Sequence, residues 1–242
     1  MLSAADRTRL ALKRLEFCLP DSLQKFSHSA GLVRSPYRPK HDELQAIFIH
    51  VPKAAGTSLR RALYDSKSFH IPAVRYKTAD PEKFSSYFKF CFVRNPWDRL
   101  QSAFHYLHRR VGADPAYPDH RWANEMLGEV DDFPKFVKKL ENEYRFRHDI
   151  RSYIHFRDQL DWISGKGSTG RETLMDYVGY YESLEKDCAL IASRLKIELD
   201  LPHERKLSYG RDFRFSYTSS HMVDAVADLY SEDINAFGYT FE

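Results

Sequence analysis

Cysteine is scarce in this chain of 242 residues: Cys18, Cys91 and Cys188 are the three present. They cannot form a disulfide framework, and no pair has metal-ligand spacing, so the chain fits a reducing compartment. Long apolar runs are absent too, and nothing approaches the roughly 18 residues of a membrane span. The N-terminal stretch MLSAADRTRLALKRLEF scatters charges through its apolar positions, so it lacks the core of a signal peptide. It reads as an amphipathic helix that packs on the body of the protein, the alternative being that it lies on a membrane surface. Charge of one sign is lacking as well. Lys and Arg number 37 against 34 Asp and Glu, a net +3, which is too small an excess to coat a nucleic acid. No internal repeat and no low-complexity tract interrupts the chain.

What is present is an ordinary globular composition, 43% hydrophobic and 29% charged, with length enough for a substantial core. Residues 28–44 are rich in turn formers and read as a linker. AIFIHV (46–51) is a short, nearly continuous apolar run, the pattern of a strand buried on both faces. It ends at Pro52 and passes through KAAGTS into the helical LRRALYDS. FKFCFV (88–93) is a second such strand, followed by Arg94-Asn95-Pro96 and a helix to about Arg110. Asn95 suits the cap of that helix and Pro96 its first turn. TLMDYVGYY (173–181) is a third strand, entering a helix with Leu184, Cys188, Ile191 and Leu195 on its buried stripe. The spacing leaves 111–124 as a loop, then predicts a helix from near Asp132, another over 147–158 and a last one over about 219–235. DWISGKGSTGRETLMDYVGYY (161–181) could also close a hairpin over the turn GKGSTG. Strands alternating with helices predict an α/β fold, a P-loop-like three-layer domain with a central, mostly parallel sheet flanked by helices. The expected division is an N-terminal helical segment and linker over 1–44 and one domain over 45–242.

Two segments carry chemistry. In HVPKAAGTSLRR (50–61) a strand turns through small residues into a helix, whose first N–H groups lack intrahelical partners and whose dipole favours an anion. Ala54, Ala55 and Gly56 allow close backbone approach, Thr57 and Ser58 add hydroxyls, and Lys53 adds a full charge. This is not a Walker loop, because there the lysine follows the glycines directly before Ser or Thr. The bland alternative is a tight turn with a solvated lysine. In CFVRNPWDRLQSAF (91–104), Arg94 closes a buried strand, where a guanidinium needs an anion. Ser102 lies seven positions beyond Asn95, on nearly the same helical face, so the Arg94 and Ser102 side chains can converge on one phosphate. The alternative is that Arg94 pairs with Asp98 and Ser102 faces solvent.

Together these segments resemble the paired signature of PAPS-dependent sulfotransferases, in particular the carbohydrate sulfotransferases of sulfotransferase family 2 and their bacterial relatives. DYVGYYESL (176–184) and DINAFGYTF (233–241) are also similar to that family. The resemblance implies transfer of a sulfuryl group from PAPS to a hydroxyl of a carbohydrate or other acceptor, with PAP as product and no metal required. It implies Lys53, Gly56, Thr57 and Ser58 on the phosphosulfate, and Arg94 and Ser102 on the 3′-phosphate. Members in the Golgi carry an N-terminal membrane anchor, so a cytoplasmic enzyme without a transmembrane segment is the expectation here.

A base for the acceptor proton is also needed. His70 looks like the counterpart of a histidine presumed to do this in related uronosyl 2-O-sulfotransferases, and a neutral imidazole suits the task. A surface or capping histidine is the competing reading, and Glu182 is the other candidate base. His155 and Gln159, one helical turn apart, are candidates for the acceptor pocket, and His50 is expected to be structural. Lys206 and Arg211, with Arg205 and Arg214, form a basic segment suited to folding over the nucleotide, or else a solvated loop. Trp122 and Trp162 are candidate sugar platforms. Two rival classes remain: a small-molecule kinase of the P-loop type, and a non-catalytic nucleotide-binding module. An ATP enzyme would have no 3′-phosphate for Arg94 and Ser102 to meet.

Overall fold

The computed structural model describes residues 35–64, 70–168, 170–199 and 212–242. In chain order these form α1 (Pro39–Leu44), β1 (Ala46–Ile49), α2 (Gly56–Tyr64), α3 (Ala73–Ala79), α4 (Pro81–Ser86), β2 (Phe88–Val93) and α5 (Pro96–His108). There follow α6 (Pro118–Leu127), α7 (Phe133–Asn142), α8 (Tyr144–Ser152), the single turn α9 (Leu160–Ile163), β3 (Ser164–Lys166) and β4 (Arg171–Thr173). The chain continues through β5 (Tyr177–Tyr180), α10 (Leu184–Leu195), α11 (Ser220–Leu229) and α12 (Ser231–Phe237).

The expected parallel sheet is present, in the order β1-β2-β5, with Phe48 opposite Phe90 and Phe92 opposite Gly179. Every residue of β1 is buried, and β2 is buried after its first residue, which is why both read as unbroken apolar runs. Parallel pairing requires a crossover, and α2, α3 and α4 supply it between β1 and β2. The carboxyl ends of all three strands therefore lie at one edge, where open α/β sheets place their ligand sites. One core packs around the sheet. A second lies among α5 to α8 and α11, where Phe104, Phe136 and Phe156 are fully enclosed.

Local chemistry sets the element ends. The Asn95 carboxamide accepts from Trp97 N at 3.1 Å, with Pro96 following it as expected. Asp132 caps α7 through Lys135 N at 2.8 Å. Three expectations change. The loop foreseen over 111–124 becomes helix from Pro118, because α6 buries only Ala123 and Leu127 and so shows little periodicity. The helix foreseen over 147–158 occupies Tyr144–Ser152, closing where its buried pair Phe146 and Ile150 ends. The last helix breaks at Tyr230, which carries Asp233 into the core to accept from Gln159 N and Leu160 N at 2.7 and 3.0 Å. The third strand is confined to Tyr177–Tyr180, and the hairpin alternative holds for β3 and β4, with Ser164 opposite Thr173. Residues 1–34, with the N-terminal helix foreseen there and the first part of the linker foreseen over 28–44, lie outside the described residues, and the linker ends not as a loop but in the helix Pro39–Leu44. Among the described residues no helix is long and apolar enough to cross a membrane.

Candidate active site

The site is built where β1, β2 and β5 end. After Ile49 the chain makes a tight turn, with Val51 N donating to Ile49 O at 3.2 Å and Ala54 N to Val51 O at 3.4 Å. Lys53 and Ala55 both adopt left-handed backbone, with φ of 68° and 60°. For non-glycine residues this costs on the order of 1–3 kcal/mol each, and such strain clusters at functional sites. Ala54 lies between them outside that region, so the loop alternates in hand. Alternation of this kind turns successive N–H groups toward one concavity, an anion-binding nest. Helix α2 opens on this loop at Gly56, with Thr57 and Ser58 in its first turn.

Gly56 has a packing reason to be glycine. A Cβ there would lie 1.7 Å from His50 Cδ2, and that ring, 3% exposed, is itself packed against the His70 ring with centroids 4.1 Å apart. Gly56→Ala is therefore expected to lower stability by about 1–3 kcal/mol through overpacking. At about 2–4 °C per kcal/mol for a chain of this size, the thermal midpoint should fall by about 5 °C. An unchanged midpoint would show that the His50 ring yields without cost.

Arg94 follows β2 and is almost fully buried. Its Nε and NH2 donate to the two Asp98 oxygens at 2.7 Å each, so the Asp98 pairing weighed from the sequence is made. NH1 donates to Lys53 O at 3.3 Å, which joins the two sequence segments directly, and the guanidinium lies 4.2 Å from the Tyr181 ring centre. Ser102 is half-buried on α5, two turns beyond Asn95. One turn beyond it, the Tyr106 ring sits 4.2 Å from Lys53 Nζ.

His70 lies under this loop. Its Nδ1 is 2.9 Å from the His50 carbonyl, so that nitrogen carries the proton and Nε2 keeps the lone pair. Burial pushes its pKa down to about 4, the hydrogen bond to His50 opposing. The His155 ring is 6.2 Å away, with Nε2 3.3 Å from Asp119.

Several expected site residues have other work. Gln159 is wholly enclosed, and its amide both accepts from Arg94 N and donates to Arg94 O at 2.9 Å. It fixes the backbone of the arginine. Glu182 has both carboxylate oxygens engaged, by Asn95 N at 2.7 Å and Tyr239 Oη at 3.0 Å. Trp162 is core, and Trp122 is stacked on Tyr153 at 3.9 Å. Arg214 is held by Asp212, while Arg205, Lys206 and Arg211 lie outside the described residues. The sequence reading missed Asp119, Tyr106 and Tyr153. Tyr106 was within reach, four positions after Ser102 on one helical face. Asp119 gave no signal in a segment read as loop. Among the described residues no group of three or more His, Cys, Asp or Glu side chains could hold a metal ion.

A parallel sheet carries a small-residue loop at its carboxyl edge, joined there to an arginine from the neighbouring strand, in a mixed α/β domain. The family model described as the sulfotransferase family matches residues 40–240, and the chain belongs to that family of sulfuryl transferases. A stretch of 120 residues is 28% identical to an uncharacterized protein of Archaeoglobus fulgidus, covering 49% of this chain and 77% of that protein. No solved structure matches.

Proposed function

We propose that the protein transfers a sulfuryl group from PAPS to a hydroxyl of a carbohydrate or glycoconjugate by direct in-line displacement. The observation that carries this reading is the 3.3 Å hydrogen bond from Arg94 NH1 to the Lys53 carbonyl, which brings the two anion-binding segments into one site. The left-handed loop and the open α2 terminus suit the 5′-phosphosulfate, with Lys53, Ala54, Ala55, Gly56, Thr57 and Ser58 around it. Lys53 stands where negative charge grows on the departing phosphate, and a preorganised cation there acts on the transition state. Arg94 and Ser102 address the 3′-phosphate. His70 takes the acceptor proton on Nε2 as the acceptor oxygen bonds to sulfur, while the bond from sulfur to the phosphate oxygen breaks.

One observation favours a second reading, nucleotide binding without 3′-phosphate recognition as in a P-loop kinase: the Arg94 guanidinium is already bidentate on Asp98. Calorimetric titration separates the two. PAP should bind, and both adenosine 5′-phosphate and the Arg94→Ala protein with PAP should be about 10- to 100-fold weaker, the worth of hydrogen bonds to a charged group. Indifference to the 3′-phosphate, or preference for ATP–magnesium, would transfer the conclusion to the second reading.

A further inference from the structure

Asp119, in the first turn of α6, gathers three donors from two other places in the chain. Tyr106 Oη lies at 2.9 Å, Tyr153 Oη at 2.6 Å and His155 Nε2 at 3.3 Å. Burial alone would push its carboxyl up, but the hydrogen bonds from His155, Tyr153 and Tyr106 outweigh that and hold it well below the usual carboxylate range. An ionised Asp119 accepts only, so the His155 proton sits on Nε2 and the lone pair on Nδ1. Burial keeps this imidazole neutral despite its carboxylate neighbour.

His155 is 8% exposed, and its Nδ1 is enclosed with no hydrogen-bond partner among the described residues. A buried acceptor left unmet costs about 1–3 kcal/mol, and the great majority of buried polar atoms are satisfied. The position of this one is informative. The His155 ring lies 6.2 Å from that of His70 and 4.9 Å from that of Tyr106, whose ring in turn holds Lys53 Nζ at 4.2 Å. An unmet proton acceptor thus stands beside both the proposed base and the loop lysine. The Asp119 carboxylate supports the Tyr106 ring as well as the imidazole.

We propose that Asp119 and His155 form a carboxylate–imidazole pair on the acceptor side of the site, with Asp119 the positioning residue and His155 Nδ1, enclosed in the free protein, uncovered as the acceptor enters and accepting a hydrogen bond from one of its hydroxyls. This rests on the reading of the site as one of sulfuryl transfer. With His70 Nε2 taking the proton of the reacting hydroxyl, the two imidazole lone pairs address two hydroxyls of one acceptor. Such a pair fits a sugar ring rather than a monohydric alcohol.

The test uses the full chain saturated with PAP, or with PAPS for turnover, and a panel of methyl glycosides as probes. Nitrogen NMR of the imidazoles should find His155 protonated on Nε2 in the wild type, and that preference should be lost in Asp119→Asn. A methyl glycoside that serves as acceptor should shift the Nδ1 signal, and its KM should rise at least tenfold in Asp119→Asn and in His155→Leu. His155→Asn, which keeps a short-range acceptor, should recover part of the loss, and PAP affinity should stay within twofold throughout. The proposal is overturned by an unchanged tautomer and KM in Asp119→Asn, or by a loss of PAP affinity as large as the rise in KM. It is equally overturned if no glycoside in the panel moves Nδ1 or turns over. Absence of PAP binding in the wild type would instead sink the sulfuryl-transfer reading, while the tautomer would still report on the Asp119–His155 pair.

Discussion

Lys53→Ala should lower turnover by about 10²- to 10³-fold, the scale on which one preorganised electrostatic group at a developing charge contributes. Its backbone holds the left-handed turn and receives Arg94 NH1, while its ammonium reaches the Tyr106 ring at 4.2 Å. Alanine removes the ammonium and leaves the carbonyl in place, so the junction between the two segments survives. The thermal midpoint should accordingly stay close to that of the wild type. Lys53→Arg should restore little, because a planar fork is not a substitute for a compact ammonium at a fixed distance. PAP release from PAPS, with water or a screened glycoside as acceptor, measures the effect. Wild-type turnover in Lys53→Ala would remove lysine from the mechanism.

His70→Ala should cost about 10²- to 10⁴-fold in turnover, the usual contribution of a placed general base. Two features prepare the residue for that task. The His50 carbonyl holds the proton on Nδ1, and burial keeps the ring neutral down to a pKa of about 4. The same burial ties His70 to stability. In the unfolded chain the imidazole titrates near 6.5, so between pH 6.5 and 4 the unfolded state binds the proton and the folded state does not. This part of the stability is complete above pH 6.5 and is lost as pH falls toward 4. His41, which burial also pushes down to about 4, acts in the same window, and each accounts for roughly 1–2 kcal/mol of loss at pH 5. Urea denaturation at pH 7.5 and pH 5 should therefore show a smaller acid loss in His70→Ala than in the wild type. Equal losses, together with unchanged turnover, would return His70 to a packing role.

Much of this architecture was legible in the chain because it is locally encoded. AIFIHV and FKFCFV are strands buried on both faces, so their apolar runs report directly on a parallel sheet. Asn95-Pro96 announces the start of α5 through the chemistry of its own orphan N–H groups. The small residues before Gly56 announce a turn into a helix. Where burial is shallow the signal fades, as in α6, which hides two residues of ten. Where a helix breaks for the sake of a distant partner the signal misleads. The run from 219 to 235 keeps one periodicity across Tyr230, and the break serves Asp233, which reaches residues more than 70 positions away in Gln159 and Leu160.

The candidate site divides in the same manner. By itself the sequence determined the elements proposed here for the donor: a strand, a turn of small residues with a lysine, and a second strand closing on an arginine, each set by contiguous residues and backbone geometry. Only the tertiary structure decided the rest. It placed the Gln159 amide on the Arg94 backbone, 65 positions away in the chain. It brought Asp119, His155, Tyr106 and Tyr153 together around one carboxylate. Such groupings follow from how α5, α6 and the segment after α8 pack, and packing minimises buried unpaired polarity across the whole chain. A residue type at a position in the sequence carries that information only once its neighbours in space are known.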